Sequence, residues 1–193
     1  MKVNLTIEIP RWLERLCVWS VLQYRRLRFG YPFRRIALSQ GYHAIVDIED
    51  YHRLNCFKWH AAGKGNRIYA TRSVRMKFGQ IKTISLHREI AKPTPGTMVD
   101  HRSRNTLDNR RANLRLATPS QNSCNKRKAG TKTLSRLKGI FFDNRRGKWY
   151  ARIKINGNSV HLGSFADELA AGLAYDEAAK KYHGEFACLN FPV

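Results

Sequence analysis

Residues 139–163 have the sequence GIFFDNRRGKWYARIKINGNSVHLG, and this stretch decides the fold of the C-terminal part of the chain. Apolar and polar side chains alternate over 148–155, as they do in a strand with one buried face. The Asn156-Gly157 pair favours a tight hairpin turn, and residues 143–147 predict an earlier turn. The pattern therefore predicts three antiparallel strands, at 139–142, 148–155 and 159–163.

An alanine-rich segment follows these strands. We predict that residues 167–182 form a helix, which would cover one face of the sheet. The side chains expected to face the sheet are Leu169, Ala170, Leu173, Ala174, Ala178 and Tyr182.

The central predicted strand has two chemically different faces, because alternate side chains of a strand point to opposite sides. One face carries Lys148, Tyr150, Arg152 and Lys154, and the other carries Trp149, Ala151, Ile153 and Ile155. The apolar face can pack on the helix, which leaves a basic, exposed face. A ribbon of this width fits the major groove of DNA, where arginine binds guanine edges and lysine binds phosphate. The alternative is a basic face that contacts only solvent.

The whole chain is strongly basic. Its 193 residues include 36 lysines and arginines against 14 aspartates and glutamates, for a formal net charge of +22. Hydrophobic residues make up 42% of the chain, which excludes a disordered basic tail. No uncharged run approaches the roughly 18 residues of a membrane-spanning helix. We therefore expect a polyanionic partner, most often nucleic acid, and no membrane.

The cysteines, at positions 17, 56, 124 and 188, are widely spaced. Zinc sites usually show close-spaced pairs, and secreted disulfide scaffolds are denser in cysteine. We therefore expect reduced thiols, no structural zinc and a cytoplasmic protein. The first ten residues lack the apolar core and cleavage site of a signal peptide, so secretion is not expected.

Residues 1–36 form a basic N-terminal extension. Pro10 can begin a helix in which apolar residues recur at helical spacing from Trp12 to Leu22. Such a basic amphipathic helix can lie on a membrane or bind a partner helix. We favour a helix docked on the following domain, with its arginines toward solvent or DNA.

The middle of the chain changes to short strands. Strands are predicted at 42–47, 67–72 and 82–87, with a helical turn between 49 and 59. A further helix is predicted from Asp108, a good N-cap, to about Leu116. Residues from 122 to about 137 are polar and basic without an acidic residue, and they predict a linker or an arm that orders on binding.

Residues 99–115, VDHRSRNTLDNRRANLR, are the best suited to catalytic chemistry. Asp100 and His101 offer an oxygen ligand and an imidazole at a predicted strand end. Asn109 and Asn113 are four residues apart, so on a helix they would share one face. Asp100 and Asn113 are therefore predicted to bind one divalent cation beside His101, and such oxygen ligands favour magnesium over zinc. An isolated Asp-His pair is more often structural.

This region, about residues 37–125, resembles the HNH endonucleases, nucleases with a ββα-metal fold that are common in phage and mobile elements. The motifs that carry the resemblance are Leu86-His87-Arg88, Val99-Asp100-His101, Leu107-Asp108-Asn109-Arg110, Asn113-Leu114-Arg115 and Ala117-Thr118 through Gln121-Asn122.

The resemblance implies a role for each residue of the predicted site. His101 would act as general base, Asn109 would orient its imidazole, and a single ion would be bound by Asp100 and Asn113. Mg²⁺ is the expected ion, with Mn²⁺ as the alternative. Ser103 stands where the family frequently has asparagine, which leaves activity open.

Three further residues have undecided supporting roles, and these are His87, Arg88 and Asn122. His87 and Arg88 lie on a predicted strand and could touch phosphate or support the site. The alternative for His87 is a buried structural histidine.

The C-terminal unit resembles the Apetala-two, ethylene-response-factor type of DNA-binding domain. The matching motifs are Lys138-Gly139-Ile140, Gly147-Lys148-Trp149-Tyr150-Ala151-Arg152-Ile153, Leu162-Gly163-Ser164-Phe165, Ala170-Ala171, Ala174-Tyr175-Asp176-Glu177-Ala178-Ala179 and Leu189-Asn190-Phe191-Pro192. The resemblance implies that the sheet contacts DNA. The expected contacts, with basic residues of the adjoining turn and linker, are Arg145, Arg146, Lys148, Trp149, Arg152, Lys154, Lys126, Arg127 and Lys128.

The predicted organisation is an α+β protein with an N-terminal extension (1–36), an HNH nuclease domain (37–125), a basic linker (126–137) and an Apetala-two-type domain (138–193). We expect a metal-dependent endonuclease of the bacterial or phage homing type, with double-stranded DNA as partner. The expected state is a cytoplasmic monomer without an obligate protein partner. The alternative function is a DNA-binding transcriptional regulator with an inactive HNH centre.

Overall fold

The computed structural model describes residues 10–65, 67–128 and 134–192. Parts of two predicted segments, at 1–9 and 129–133, lie outside these residues. The chain divides into two compact units: one runs to Ile90 and includes Thr106–Asn113, and the other contains Ala91–Asn105 and continues from Leu114 onward. The predicted domain boundaries follow the chain order instead, and they stay predictions.

The first unit contains two antiparallel sheets and the helices beside them. Its elements are α1 (Arg11–Phe29), β1 (Arg34–Ala37), β2 (His43–Val46), α2 (Ile48–Asn55), β3 (His60–Lys64), β4 (Arg67–Arg75), β5 (Ile81–Ser85) and α3 (Leu86–Ala91). Strands β1 and β2 form a ribbon, and β3, β4 and β5 pair in that order. Its core includes Phe33, Ile36, Val46, Leu54, Trp59, Leu86 and Ile90.

The predicted N-terminal helix is confirmed as α1, which follows Pro10 and ends where Gly30 adopts a φ of 79°. None of its residues is fully buried, although Leu13, Val18 and Leu22 are partly buried. Arg25 links the end of the helix to the residue before β1, because its Nη1 donates a 2.5 Å hydrogen bond to the Phe33 carbonyl. We expected the apolar side of α1 to pack on the domain that follows it. Trp12 and Trp19 do not do so, because both are exposed. No helix within the described ranges is long and apolar enough to cross a membrane.

The residues predicted as the end of a strand at 82–87 form a helix instead. Strand β5 ends at Ser85, and α3 places His87 and Arg88 on its first turns. Leu86 and Ile90 are both buried. Their spacing of four residues puts both on one face of a helix, so burial of this pair favours a helix over further strand.

The second unit joins a small hairpin to a larger sheet-and-helix domain. Its elements are β6 (Met98–His101), β7 (Leu114–Ala117), α4 (Pro119–Cys124), β8 (Ile140–Asp143), β9 (Lys148–Ile155), β10 (Asn158–Phe165) and α5 (Glu168–His183). Strands β6 and β7 are antiparallel, with Asp100 opposite Arg115. The larger sheet has the order β10-β9-β8, and α5 packs on it. The α+β class and the predicted C-terminal sheet with its helix are confirmed.

The helix predicted from Asp108 to Leu116 is wrong. Residues Arg111–Asn113 form a short 3₁₀ turn, and β7 follows directly. Asp108 does not begin an α-helix: its carboxylate accepts a hydrogen bond from the Arg110 amide at 3.3 Å and two from the Arg110 guanidinium at 2.8 and 2.6 Å, which closes a local turn. Asn109 and Asn113 therefore do not share a helical face.

The helix of this region begins after Thr118 instead. The Thr118 hydroxyl accepts a hydrogen bond from the Gln121 backbone, and the Gln121 side chain accepts one from the Thr118 backbone. This reciprocal pair is a capping box, followed here by Pro119 at the first helical position.

Helix α5 covers the sheet with a face that only partly agrees with the predicted one, since Ala178 is buried as expected but the leucines are not. Ala171, Tyr175 and Ala179 are buried against β8 and β9, whereas Leu169 and Leu173 are exposed. The small alanines permit a close approach of helix and sheet. The Tyr175 ring lies beside Gly139, where an added Cβ would come within 2.3 Å of it. Burial raises the pKa of the Tyr175 hydroxyl well above its usual range.

Candidate functional site

The Asp100 carboxylate at the end of β6 is buried and held by two neighbours. Arg115 donates to its Oδ2 from Nε at 2.9 Å and from Nη2 at 2.7 Å. Asn125 donates from Nδ2 to Oδ2 at 2.9 Å and to Oδ1 at 3.1 Å. Asp100 is 6% exposed and Arg115 is 8% exposed. These hydrogen bonds fix the orientation of the carboxylate. Oδ2 accepts three of them and Oδ1 accepts one.

His101 is the last residue of β6 and is also buried. Its backbone carbonyl accepts hydrogen bonds from Asn125 Nδ2 and from the Arg104 amide, both at 2.9 Å. Asn125 therefore holds both Asp100 and His101. No local pattern marks Asn125 or Arg115 as a partner of this pair, because each lies more than ten residues away in the chain.

The two predicted site asparagines lie in the first unit. Asn109 is 1% exposed, and its Nδ2 donates to the Leu107 carbonyl at 3.1 Å. Asn113 Nδ2 donates to the Asp108 carbonyl at 2.7 Å. Since both amide nitrogens are engaged by backbone, the side-chain oxygens are the atoms that suit a cation or an imidazole N–H.

A buried aspartate holds the loop that carries these asparagines. Arg111 donates to the two Asp50 oxygens at 2.8 and 2.9 Å, and its amide donates to Asp47. Burial alone would raise the pKa of Asp50, but hydrogen bonds from Arg111 and Arg53 outweigh burial and hold this pKa below its usual value. Asp50 and Arg111 are thus structural supports of the candidate site that the sequence-based interpretation missed.

The four predicted catalytic residues divide between the two units, with Asp100 and His101 in one and Asn109 and Asn113 in the other. Their convergence on one ion stays a prediction. Within the described part of the chain, no cluster of three or more His, Cys, Asp or Glu side chains could hold a metal. The carboxylate of Asp100 and the amide oxygen of Asn113 are nevertheless hard donors, which is the chemistry that Mg²⁺ and Mn²⁺ prefer.

The structure does not decide the roles of His87, Arg88 and Asn122. The His87 ring on α3 lies 5.6 Å from the Tyr69 ring, between centroids. On α4, Asn122 Nδ2 lies 3.6 Å from the Met98 sulfur. Arg88 lies on α3, one residue beyond His87.

The exposed face of the C-terminal sheet combines basic and aromatic side chains. The Phe141 and Tyr150 rings stack with centroids 5.4 Å apart, and the Arg152 guanidinium lies within 6 Å of each ring. Lys148, Arg152 and Lys154 are exposed, as the alternation predicts. A cavity of about 470 Å³ opens on this face, lined in part by Arg145, Arg146, Lys148, Tyr150, Arg152 and His161.

Four further residues predicted to contact DNA lie away from this exposed face or differ in exposure, and these are Trp149, Lys126, Arg127 and Lys128. Trp149 packs against the core with its ring 4.8 Å from Phe142, on the side of β9 opposite Arg152. Lys126 and Arg127 are exposed. Lys128 Nζ donates to the Ile140 carbonyl at 3.0 Å and lies 5.1 Å from the Phe141 ring, and burial lowers the pKa of its ammonium group.

Comparison with known proteins gives different matches for the middle and the C-terminal part of the chain. The family described as HNH endonuclease matches residues 92–124, which contain β6, β7 and α4. An uncharacterized HNH endonuclease of Acanthamoeba polyphaga mimivirus is 28% identical over 160 residues, covering 82% of this chain and 80% of the relative.

The plant relatives match the C-terminal region. An AP2-like ethylene-responsive transcription factor of Arabidopsis thaliana is 37% identical over 78 residues, covering 40% of this chain. An AP2/ERF and B3 domain-containing protein of Oryza sativa subsp. japonica is 44% identical over 64 residues, covering 33% of this chain. The chain spans only 16% and 17% of these two plant proteins, so the likeness concerns one domain. Together with the sheet-and-helix fold of that domain, these likenesses support a fusion of a segment similar to HNH endonucleases with a domain similar to the Apetala-two type.

Proposed function

We propose that the protein is a metal-dependent DNA endonuclease that hydrolyses phosphodiester bonds, directed to its site by the C-terminal sheet. The observation that carries this proposal is the Asp100-His101 pair at the end of β6. Both residues are buried and held by Asn125, within the segment that matches the HNH endonucleases. A carboxylate of fixed orientation beside a histidine whose backbone is held suits a hydrolytic centre, because catalysis needs its groups kept in position.

In this proposal, each polar residue of the centre has one task. His101 takes a proton from the attacking water, because histidine accepts protons readily near neutral pH. Asn109 orients the His101 imidazole through its side-chain oxygen. Asp100 and Asn113 would hold a single divalent cation, Mg²⁺ or Mn²⁺. When bound, this ion stabilises negative charge at the phosphate and at the leaving 3′ oxygen.

In this proposal the C-terminal sheet binds the DNA. Its exposed face offers Lys148, Arg152 and Lys154 to phosphates and base edges, with the stacked Phe141 and Tyr150 beside them. The C-terminal domain and the β6–β7 hairpin belong to one compact unit. Binding of DNA by the C-terminal sheet therefore raises the effective concentration of the cleavage centre at its target.

A plasmid-nicking assay tests the proposed function. We expect purified wild-type protein to convert supercoiled DNA to the nicked or linear form with Mg²⁺ or Mn²⁺ and to leave it intact with EDTA. Sequencing of the cut ends from a randomised DNA library should give a preferred site. Tight DNA binding without cleavage in any divalent metal would reject the endonuclease and support the DNA-binding regulator.

The strength of DNA binding should depend steeply on salt. If about six to eight phosphates are neutralised, log affinity should fall against log salt concentration with a slope of about −5 to −7. We expect Arg152→Ala to weaken binding several-fold and to reduce this slope by about one unit. Fluorescence anisotropy with labelled duplex in EDTA measures both quantities.

Lys180→Ala is the matched control for Arg152→Ala. Lys180 is an exposed cation on α5, which packs on the opposite face of the sheet. Its loss removes the same charge and should leave binding nearly unchanged, as should His101→Ala. Equal losses of affinity in Arg152→Ala and Lys180→Ala would show that the sheet face is not the DNA-binding surface.

A further inference from the structure

The Arg115 side chain connects the candidate catalytic carboxylate to the C-terminal domain. Nε and Nη2 both donate to Asp100 Oδ2, while Nη1 donates to the Glu185 backbone carbonyl at 2.5 Å. The guanidinium also lies 3.8 Å above the centroid of the Phe186 ring. Residues Gly184–Phe186 form a 3₁₀ turn that directly follows α5. One buried arginine therefore contacts both β6 and the turn that follows α5 in the Apetala-two-type domain.

These contacts are strong because they are removed from water. The side chains of Arg115 and Asp100 are both almost fully buried. A buried charge pair depends on each partner, since loss of one leaves the other desolvated and uncompensated. The planar guanidinium also fixes direction, because its N–H donors form a rigid fork. Lysine would keep the charge at this position but would lose the fork.

The arrangement divides the two oxygens of Asp100. Oδ2 accepts both Arg115 bonds and the shorter Asn125 bond, whereas Oδ1 accepts only the 3.1 Å bond from Asn125 among the hydrogen bonds of the described residues. Oδ1 is therefore the oxygen with fewer hydrogen bonds, and the one that a cation would contact most readily.

We propose that Arg115 is a positioning residue for Asp100, and that it takes its own position from the Glu185–Phe186 turn. The Apetala-two-type domain is then part of the nuclease centre as well as a DNA-binding domain. This inference rests on the proposed function in one respect, namely that Asp100 is a metal ligand.

Binding of Mn²⁺ to the full-length protein without DNA tests this role. Free Mn²⁺, measured by electron paramagnetic resonance, gives the affinity of wild type, Arg115→Met and Arg115→Lys. If Arg115 acted only through its charge, Arg115→Met would bind Mn²⁺ more tightly, because a neighbouring cation is removed. Loss of positioning would instead lower the Mn²⁺ affinity. We expect Arg115→Met to bind Mn²⁺ at least about tenfold more weakly than wild type, with Arg115→Lys between the two.

Two further variants separate positioning from general destabilisation. Phe186→Leu removes the ring under the guanidinium without touching Asp100, and should weaken Mn²⁺ binding in the same direction by a smaller factor. Arg102→Met is the matched control. Arg102 pairs with the Glu185 carboxylate at 2.6 Å but makes no described bond to Asp100, so its loss should leave Mn²⁺ affinity unchanged. If Arg115→Met does not fold, Arg115→Lys and Phe186→Leu still decide the question.

The outcomes for Arg115 and for the proposed function are distinguishable. Nicking rates against Mn²⁺ concentration should show a raised half-saturation point in Arg115→Met, while DNA affinity in EDTA stays within about twofold of wild type. Unchanged or tighter Mn²⁺ binding in Arg115→Met, or no Mn²⁺ binding by wild type, overturns the role of Arg115. Normal Mn²⁺ binding with no nicking by wild type overturns only the proposed nuclease activity.

Discussion

The His101→Ala variant should lose at least about 99% of the wild-type nicking rate, since a positioned general base contributes about 100-fold to 10,000-fold. The loss follows from the proposed role of His101, whose imidazole would take the proton of the attacking water. Alanine offers no proton acceptor in its place. A single-turnover assay on supercoiled plasmid, with protein in excess over DNA, measures this rate without interference from product release.

Two controls assign the loss to chemistry. His43 is exposed on β2, and His43→Ala should nick at the wild-type rate. Because His101 is buried, His101→Asn serves as a second variant that fills most of the cavity, and its unfolding in urea should resemble that of wild type. A His101→Ala protein that binds DNA normally and keeps more than a tenth of the activity contradicts the assignment of His101 as general base.

Local patterns were enough to predict the C-terminal domain. Strict alternation along Lys148–Ile155 and the Asn156-Gly157 turn specify a hairpin without reference to the rest of the chain. The predicted buried face of α5 is right at Ala178 and wrong at Leu169 and Leu173, because Tyr175 and its alanine neighbours pack on the sheet instead. Which face of a helix packs depends on the shape of its partner, and here the partner offers the glycine at position 139.

The supports of the candidate site could not be predicted in the same way. Arg111 and Asp50 are 61 residues apart, and Arg115 and Glu185 are 70 apart. No local periodicity encodes such pairs, so the motif Asp100-His101 was visible while its partners were not. The misplaced helix has a different cause. The Thr118-to-Gln121 capping signal was present in the sequence, but Asp108 offered a competing N-cap whose side chain instead pairs with Arg110.

Gly139→Ala should destabilise the C-terminal domain by about 3 to 4 kcal/mol. Gly139 has a φ of +76°, a left-handed conformation that costs a non-glycine residue about 1–2 kcal/mol. An added Cβ would lie 2.3 Å from the Tyr175 ring and 2.5 Å from the Arg152 carbonyl oxygen. Overpacking of this kind adds about 1–3 kcal/mol, because neither the backbone of β9 nor a buried ring moves freely. Hydrogen exchange in peptides covering β9 measures the local free energy of unfolding.

Gly147→Ala separates the two contributions to this loss. Gly147 also has a positive φ, of +60°, but an added Cβ there would meet nothing within 4 Å. It should therefore lose only the conformational part, about 1–2 kcal/mol. The difference between the two variants measures the cost of forcing Tyr175 away from the sheet. Equal losses would mean that α5 can shift to admit a methyl group, and the close contact of Tyr175 with Gly139 would then not set how α5 packs.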